Sequence, residues 1–161
     1  MLRIISIACF TTFFFCSCKK DKLDIPIGTI KVEIGGSTST FNIQAKATRL
    51  TVTGGYGIQL QGNLKTTSTT NLSFSIVSPN PILNDTYTEN TTSNPLVSMT
   101  HCIEFYSPCV IRANEYGSTT NPVAITITEI SSSSVKGTFK GELQGIISKE
   151  VLSNGVFYVS F

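Results

Sequence analysis

Val135-Lys136-Gly137-Thr138-Phe139-Lys140-Gly141-Glu142-Leu143 has a strict period of two. Val135, Gly137, Phe139, Gly141 and Leu143 fall on one side, and Lys136, Thr138, Lys140 and Glu142 on the other. This is the pattern of a strand with one buried face and one wet face. Upstream, across the turn-like Ser131-Ser132-Ser133-Ser134, Val123, Ile125 and Ile127 alternate with Ala124, Thr126 and Thr128. Ile130 breaks that phase, which predicts a bulge near Glu129 or a turn that absorbs Ile130. Downstream, Phe157, Val159 and Phe161 alternate with Val156, Tyr158 and Ser160, after an Asn154-Gly155 turn signal.

The same period runs back through the chain. Ile30, Val32 and Ile34 form one half-buried strand, and Phe41, Ile43, Ala45 and Ala47 another, with Gly35-Gly36-Ser37 as the turn between them. Pairing Ile34 with Phe41 keeps both apolar sets on one face and asks for an even-length loop. Leu50 and Val52 are expected to face Ile58 and Leu60 across Gly54-Gly55. Both sets have even numbers, so that register asks for an odd loop. Leu72, Phe74 and Ile76 form a further strand. Ser78 to Pro95 is rich in Pro, Asn and Thr and reads as a long connection carrying a short edge strand at Thr86-Tyr87-Thr88. Val97 to Thr100 and Ile103 to Phe105 read as one interrupted strand or two.

After residue 18 the only alanines are Ala45, Ala47, Ala113 and Ala124, while Thr, Val, Ile and Phe abound. β-Branched and aromatic residues favour strands, and no i, i+3, i+4, i+7 pattern appears. The expectation is an all-β domain over 28–161, an antiparallel β-sandwich or small barrel of about eight to ten strands.

The N-terminus has a different character. Arg3 precedes an apolar run from Ile4 to Phe15, 12 residues long. A transmembrane helix needs about 20, whereas a secretory signal needs a core of this length. The run ends in Phe15-Cys16-Ser17-Cys18-Lys19-Lys20-Asp21. With small Ser17 directly before Cys18, this resembles the lipobox of bacterial lipoproteins, and in particular the start of small lipoproteins of the Bacteroidota type. Cys18 matches the cysteine that this family acylates; Cys16, preceded by bulky Phe15, is the weaker candidate. The resemblance implies a signal peptide over 1–17 and a lipidated tether over 18–27. It also implies a palmitate-type anchor in the outer membrane of the cell envelope, on either its periplasmic or its surface face. Two or more acyl chains give stable anchoring where one does not. The closing part, residues 120–161, with a looser match at 70–90, resembles a family of small β-rich lipoproteins. That resemblance implies a sandwich and brings no activity with it.

Without residues 1–17 the chain carries 11 basic and 10 acidic side chains. A balance of about +1 offers no field for nucleic acid. Cys102 and Cys109 are the remaining cysteines, and in an oxidising compartment an even pair reads as a disulfide. Closing that short loop would stabilise the fold by about 2–2.5 kcal/mol. His101 is the single histidine. On a strand it would point away from Cys102, which argues against a Cys–His dyad and for a surface or strand-edge position. No nucleophile elbow, metal motif or phosphate loop is present, so no catalytic residue, metal or cofactor is expected. Tyr87, Tyr106 and Tyr116, in or near loops, are the candidate platforms for a glycan ligand. The expected function is that of a lipid-anchored envelope protein, not an enzyme, which binds a glycan or an envelope protein through loops at one end of the sandwich. The alternatives are an inhibitor or immunity-type partner and, less favoured, a hydrolase with a dispersed site.

Overall fold

The computed structural model describes residues 24–67, 69–89, 94–103, 111–112, 120–145 and 149–161. Eleven antiparallel strands and no helix make up this part of the chain. They are β1 (Thr29–Ile34), β2 (Ser37–Phe41), β3 (Ile43–Val52), β4 (Gly55–Asn63), β5 (Asn71–Ser78), β6 (Thr86–Thr88), β7 (Leu96–Cys102), β8 (Ile111–Arg112), β9 (Ala124–Ile130), β10 (Ser134–Gly145) and β11 (Lys149–Ser160). The count is one above the expected range, with β8 a strand that no expectation covered; the stretch from Ser37 to Val52 is two strands joined at Asn42. The first pairs with β1 and the second with β4.

Hydrogen bonding runs in the order β2-β1-β11-β10-β8-β7-β5-β4-β3, with β9 added to β10 and β6 to β9. This path doubles over into two layers. One holds β3, β4, β5 and β7. The other holds β2, β1, β11, β10, β9 and β6. The two-residue β8 bridges β7 to β10 along one side. The passage from β2 into β3 closes the other side. The layers face each other through Phe74 of β5, whose ring centroid lies 5.1 Å from that of Phe139 on β10 and 5.4 Å from that of Phe157 on β11.

The glycines of the opening stretch explain how those rings fit. Gly137 pairs with Phe157, and Phe139 pairs with Gly155. Each ring lies over the glycine opposite it. A Cβ on Gly137 would come within 2.6 Å of Phe157 Cζ, and one on Gly155 within 2.8 Å of the Phe139 ring. The glycines give up strand propensity so that two large rings can lie flat against their own layer and still reach Phe74. Ile30, Phe41, Ile58, Leu60, Leu72, Ile76, Ile125 and Leu143 complete the apolar core. Fully burying each such side chain is worth about 1.5–3 kcal/mol.

Several expectations hold. β6 is the short edge strand at Thr86-Tyr87-Thr88 and pairs with β9. β9 bulges where Lys136 pairs with Glu129 but Gly137 pairs with Ile127, which returns Ile130 to the inner side opposite Val135. The β1–β2 loop is even, Gly35-Gly36, both at positive φ as a tight right-twisted hairpin requires.

Others are corrected. Phe41 pairs with Ile30, and Ile34 pairs with Ser37. The β3–β4 turn is also even, with Val52 opposite Gly55 and Leu50 opposite Gly57. Leu50 and Val52 therefore lie on the outer face, and Ala47 faces Leu60 inside. Gly57 makes room for this register, since a Cβ there would sit 2.9 Å from that of Leu50. Asn154-Gly155 is not a hairpin turn. It lies within β11, where Asn154 adopts φ 51° and forms a bulge.

Candidate functional site

That bulge shapes the outer face of the second layer. In β10 the odd residues point inward throughout. In β11, Leu152 is inward and so are Gly155, Phe157 and Val159, so the parity changes at Ser153 and Asn154. The extra residue bends the strand. Asn154 is held in place by Glu33 of β1, whose carboxylate accepts hydrogen bonds from Asn154 Nδ2 at 2.9 Å and Ser153 Oγ at 3.1 Å.

The outward residues of neighbouring strands line up in rows across this bend. Thr86, Thr126, Thr138 and Val156 form one row, and Thr88, Ala124 and Lys140 another that ends at the bulge. Two depressions lie along them, of about 550 and 530 Å³, sharing Ala124, Lys140 and Asn154. Ala124, the smallest outward side chain in these rows, keeps the floor low. Thr86, Thr126 and Thr138 supply hydroxyls to the first depression, while Thr88, Ser153 and Asn121 supply polar groups to the second. The Thr86 and Thr126 hydroxyls bond to each other at 2.8 Å. Each keeps capacity for a further partner, because a hydroxyl both donates and accepts. Lys140 is the one charged side chain lining either depression. It is exposed and has no ion-pair partner among the described residues. A smaller depression of about 280 Å³ continues past Asn154 to Asp24, Lys31 and Glu33. Hydroxyls, carboxamides and one ammonium on a shallow floor can bind a polar ligand by hydrogen bonds.

A second polar cluster lies inside the sandwich. His101 is not at the surface: it is 7% exposed. Its position continues the inward parity of Val97 and Met99 on β7. Its Nδ1 lies 2.7 Å from Glu150 Oε2, and its ring meets Phe41 edge-on at 5.9 Å between centroids. The partner carboxylate, supplied by the facing layer, is what admits an imidazole to the interior. As expected, Cys102 takes the opposite parity from His101. Glu142, also buried, points to the outer face of β10 and pairs with Lys149 at 2.9 Å. Glu142 and Glu150 therefore sit on opposite faces of their layer and do not converge.

Of the other candidates, Tyr87 is 8% exposed. Its hydroxyl accepts from Leu83 N at 2.8 Å and donates to Leu83 O at 3.2 Å, fastening the β5–β6 connection. Its ring is core and offers no open platform. Cys18, Tyr106, Cys109 and Tyr116 lie outside the described residues. The sequence reading missed the groove at Asn154. A signal for it exists: Leu152 and Phe157 are apolar at even and odd positions of one uninterrupted strand.

Comparisons with protein-family models, with curated proteins and with solved structures find no match for this chain.

Proposed function

We propose that this chain is a lipid-anchored, non-catalytic binding module of the bacterial cell envelope. Residues 1–17 direct export, acylated Cys18 holds the protein at the outer membrane, and the β-sandwich presents the groove beside Asn154 to a hydroxylated ligand, a glycan. The observation that carries the binding reading is the pair of depressions meeting at Lys140 and lined by threonine hydroxyls. Their size is in the range of small-ligand sites. The groups gathered there recognise hydroxyls. The anchor reading rests on the Ser17-Cys18 junction after a 12-residue apolar run.

A glycan array probed with the purified protein tests the binding reading, with binding expected to be lost in Ala124→Trp, which fills the groove floor from the outer face. Capture of one stoichiometric envelope protein, with no glycan bound, would replace it with the inhibitor reading. Cys18→Ala tests the anchor: the variant should leave the membrane fraction and lose incorporation of labelled palmitate. Retention in the membrane would end the anchor reading.

A further inference from the structure

The position of Lys140 narrows the ligand class. We infer that the groove binds an acidic oligosaccharide, with Lys140 taking a single negative charge held between two hydroxylated ring subsites. The inference rests on the glycan-binding reading above and goes one step further, to charge and spacing.

The argument begins with what surrounds the ammonium. Lys140 stands on β10 where the two depressions meet, and both are lined by it. Two carboxylates flank it on this face: Glu142, the next outward residue of β10, is engaged by Lys149 at 2.9 Å, and Glu33 lies across the bulge. Glu33 is already engaged by Asn154 Nδ2 and Ser153 Oγ. Lys31 and Asp24 belong to the separate depression beyond Asn154. On the other side of Lys140, Thr88, Ala124 and Thr126 are neutral. A cation with no ion-pair partner among the described residues, set among neutral hydroxyls, favours an anionic ligand.

The form of the cation narrows this further. A lysine ammonium is a point charge with three rotatable donors, and it lacks the planar fork that arginine uses for phosphate. No arginine lines the groove, and the strand backbone N–H groups are engaged in the sheet. The site therefore matches one charge at a time, a carboxylate or a sulfate ester, rather than a phosphate dianion. Hydroxyl donors and acceptors lie on both sides of that charge: Thr86, Thr126 and Thr138 on one, Thr88 and Ser153 on the other. The ligand is thus a saccharide of at least two rings with the acid near its middle.

The test is calorimetry of the intact protein with uronate oligosaccharides, their methyl esters (the same rings without charge) and sulfated oligosaccharides of matched length. The uronates or the sulfated sugars should bind at least tenfold more tightly than the neutral esters, and the difference should shrink as salt is raised. Which acidic series binds identifies the source of the charge. Lys140→Gln should abolish the difference between acid and ester. Equal affinity for acid and ester, or an unchanged acid affinity in Lys140→Gln, would overturn the charge assignment and leave the glycan reading standing. If none of the three series binds, while Ala124→Trp loses a neutral glycan found on the array, the acidic ligand is likewise ruled out. If no glycan of any kind binds, the underlying reading falls as well.

Discussion

Gly137→Ala is the sharpest test of how the layers pack. The change adds one methyl group to a strand and in most strands would be harmless. Here the new Cβ would lie 2.6 Å from Cζ and 3.0 Å from Cε1 of Phe157, and against the carbonyl oxygen of Thr126. Phe157 cannot swing away: it is fully buried, with Phe74 at 5.4 Å and Phe139 at 6.4 Å between ring centroids. The Thr126 carbonyl belongs to β9 and moves only if the sheet moves. Overpacking a core costs about 1–3 kcal/mol, and contact with rigid backbone places this substitution at the upper end. Replacing glycine also removes about 0.4–1 kcal/mol of unfolded-state entropy advantage. The net expected loss is about 2 kcal/mol, or a fall in Tm of about 6–8 °C for a domain of this size. Urea unfolding followed by circular dichroism reads it directly, with Thr138→Ala on the outer face as a control expected within about 0.5 kcal/mol of the parent. Phe157→Leu removes the ring atoms that the methyl meets. The double variant should therefore be less destabilised than the two single changes added together, because the sites touch. A Gly137→Ala protein as stable as the parent, or strict additivity with Phe157→Leu, would show that the rings do not lie over the glycines as described.

His101→Ala should cost about 3 kcal/mol, because it leaves Glu150, with 18% of its side chain exposed, facing the interior unpaired; Glu150→Gln should couple to it by more than about 1 kcal/mol in a double-mutant cycle, and purely additive effects would separate the two residues. At the bulge, Asn154→Gly should be tolerated better than Asn154→Val, since φ 51° costs a β-branched residue about 1–2 kcal/mol; thermal melts in the reverse order would count against the left-handed bulge. For the proposed Cys102–Cys109 bridge, mass spectrometry after alkylation without reductant should find neither thiol modified, and modification of both would refute it. Arg49→Ala should lower stability by about 1 kcal/mol, because its guanidinium lies 4.0 Å from the Phe161 ring centroid and donates to Ser131 O at 2.8 Å, pinning the last residue of the chain; an unchanged melting temperature would show the pin to be idle.

The period of two made the strands legible because burial on one face acts on every second residue regardless of what pairs with what. β5, β9, β10 and the end of β11 could be read for that reason, and so could the β9 bulge, where Ile130 is one residue out of phase. Register was less legible, since it depends on the partner strand. Leu50 and Val52 look like core residues until Gly55 and Gly57 are placed opposite them on the outer face. His101 looked like a surface residue because nothing near it in sequence hints at a counterion. Glu150 is 49 residues away and reaches it only through the opposing layer. Tyr87 looked like a loop aromatic because its clamp, Leu83, offers backbone atoms and leaves no mark in the side-chain pattern.

The bulge at Asn154 joins the two halves of this account. On its N-terminal side, Glu150 and Leu152 point inward to meet His101 and the core. On its C-terminal side, Gly155, Phe157 and Val159 do so. Without the extra residue one of these sets would face solvent, because a shift of one residue exchanges the faces of a strand. The same extra residue bends β11 and turns Asn154 outward, where it borders both depressions. Core register and groove therefore have one structural cause, and a deletion at Asn154 would damage them together. Function can be separated from folding at outward residues that are neither bulged themselves nor at positive φ. Lys140, Thr138 and Thr126 meet that condition, so loss of ligand binding in their variants, with unfolding unchanged, reports on the groove alone.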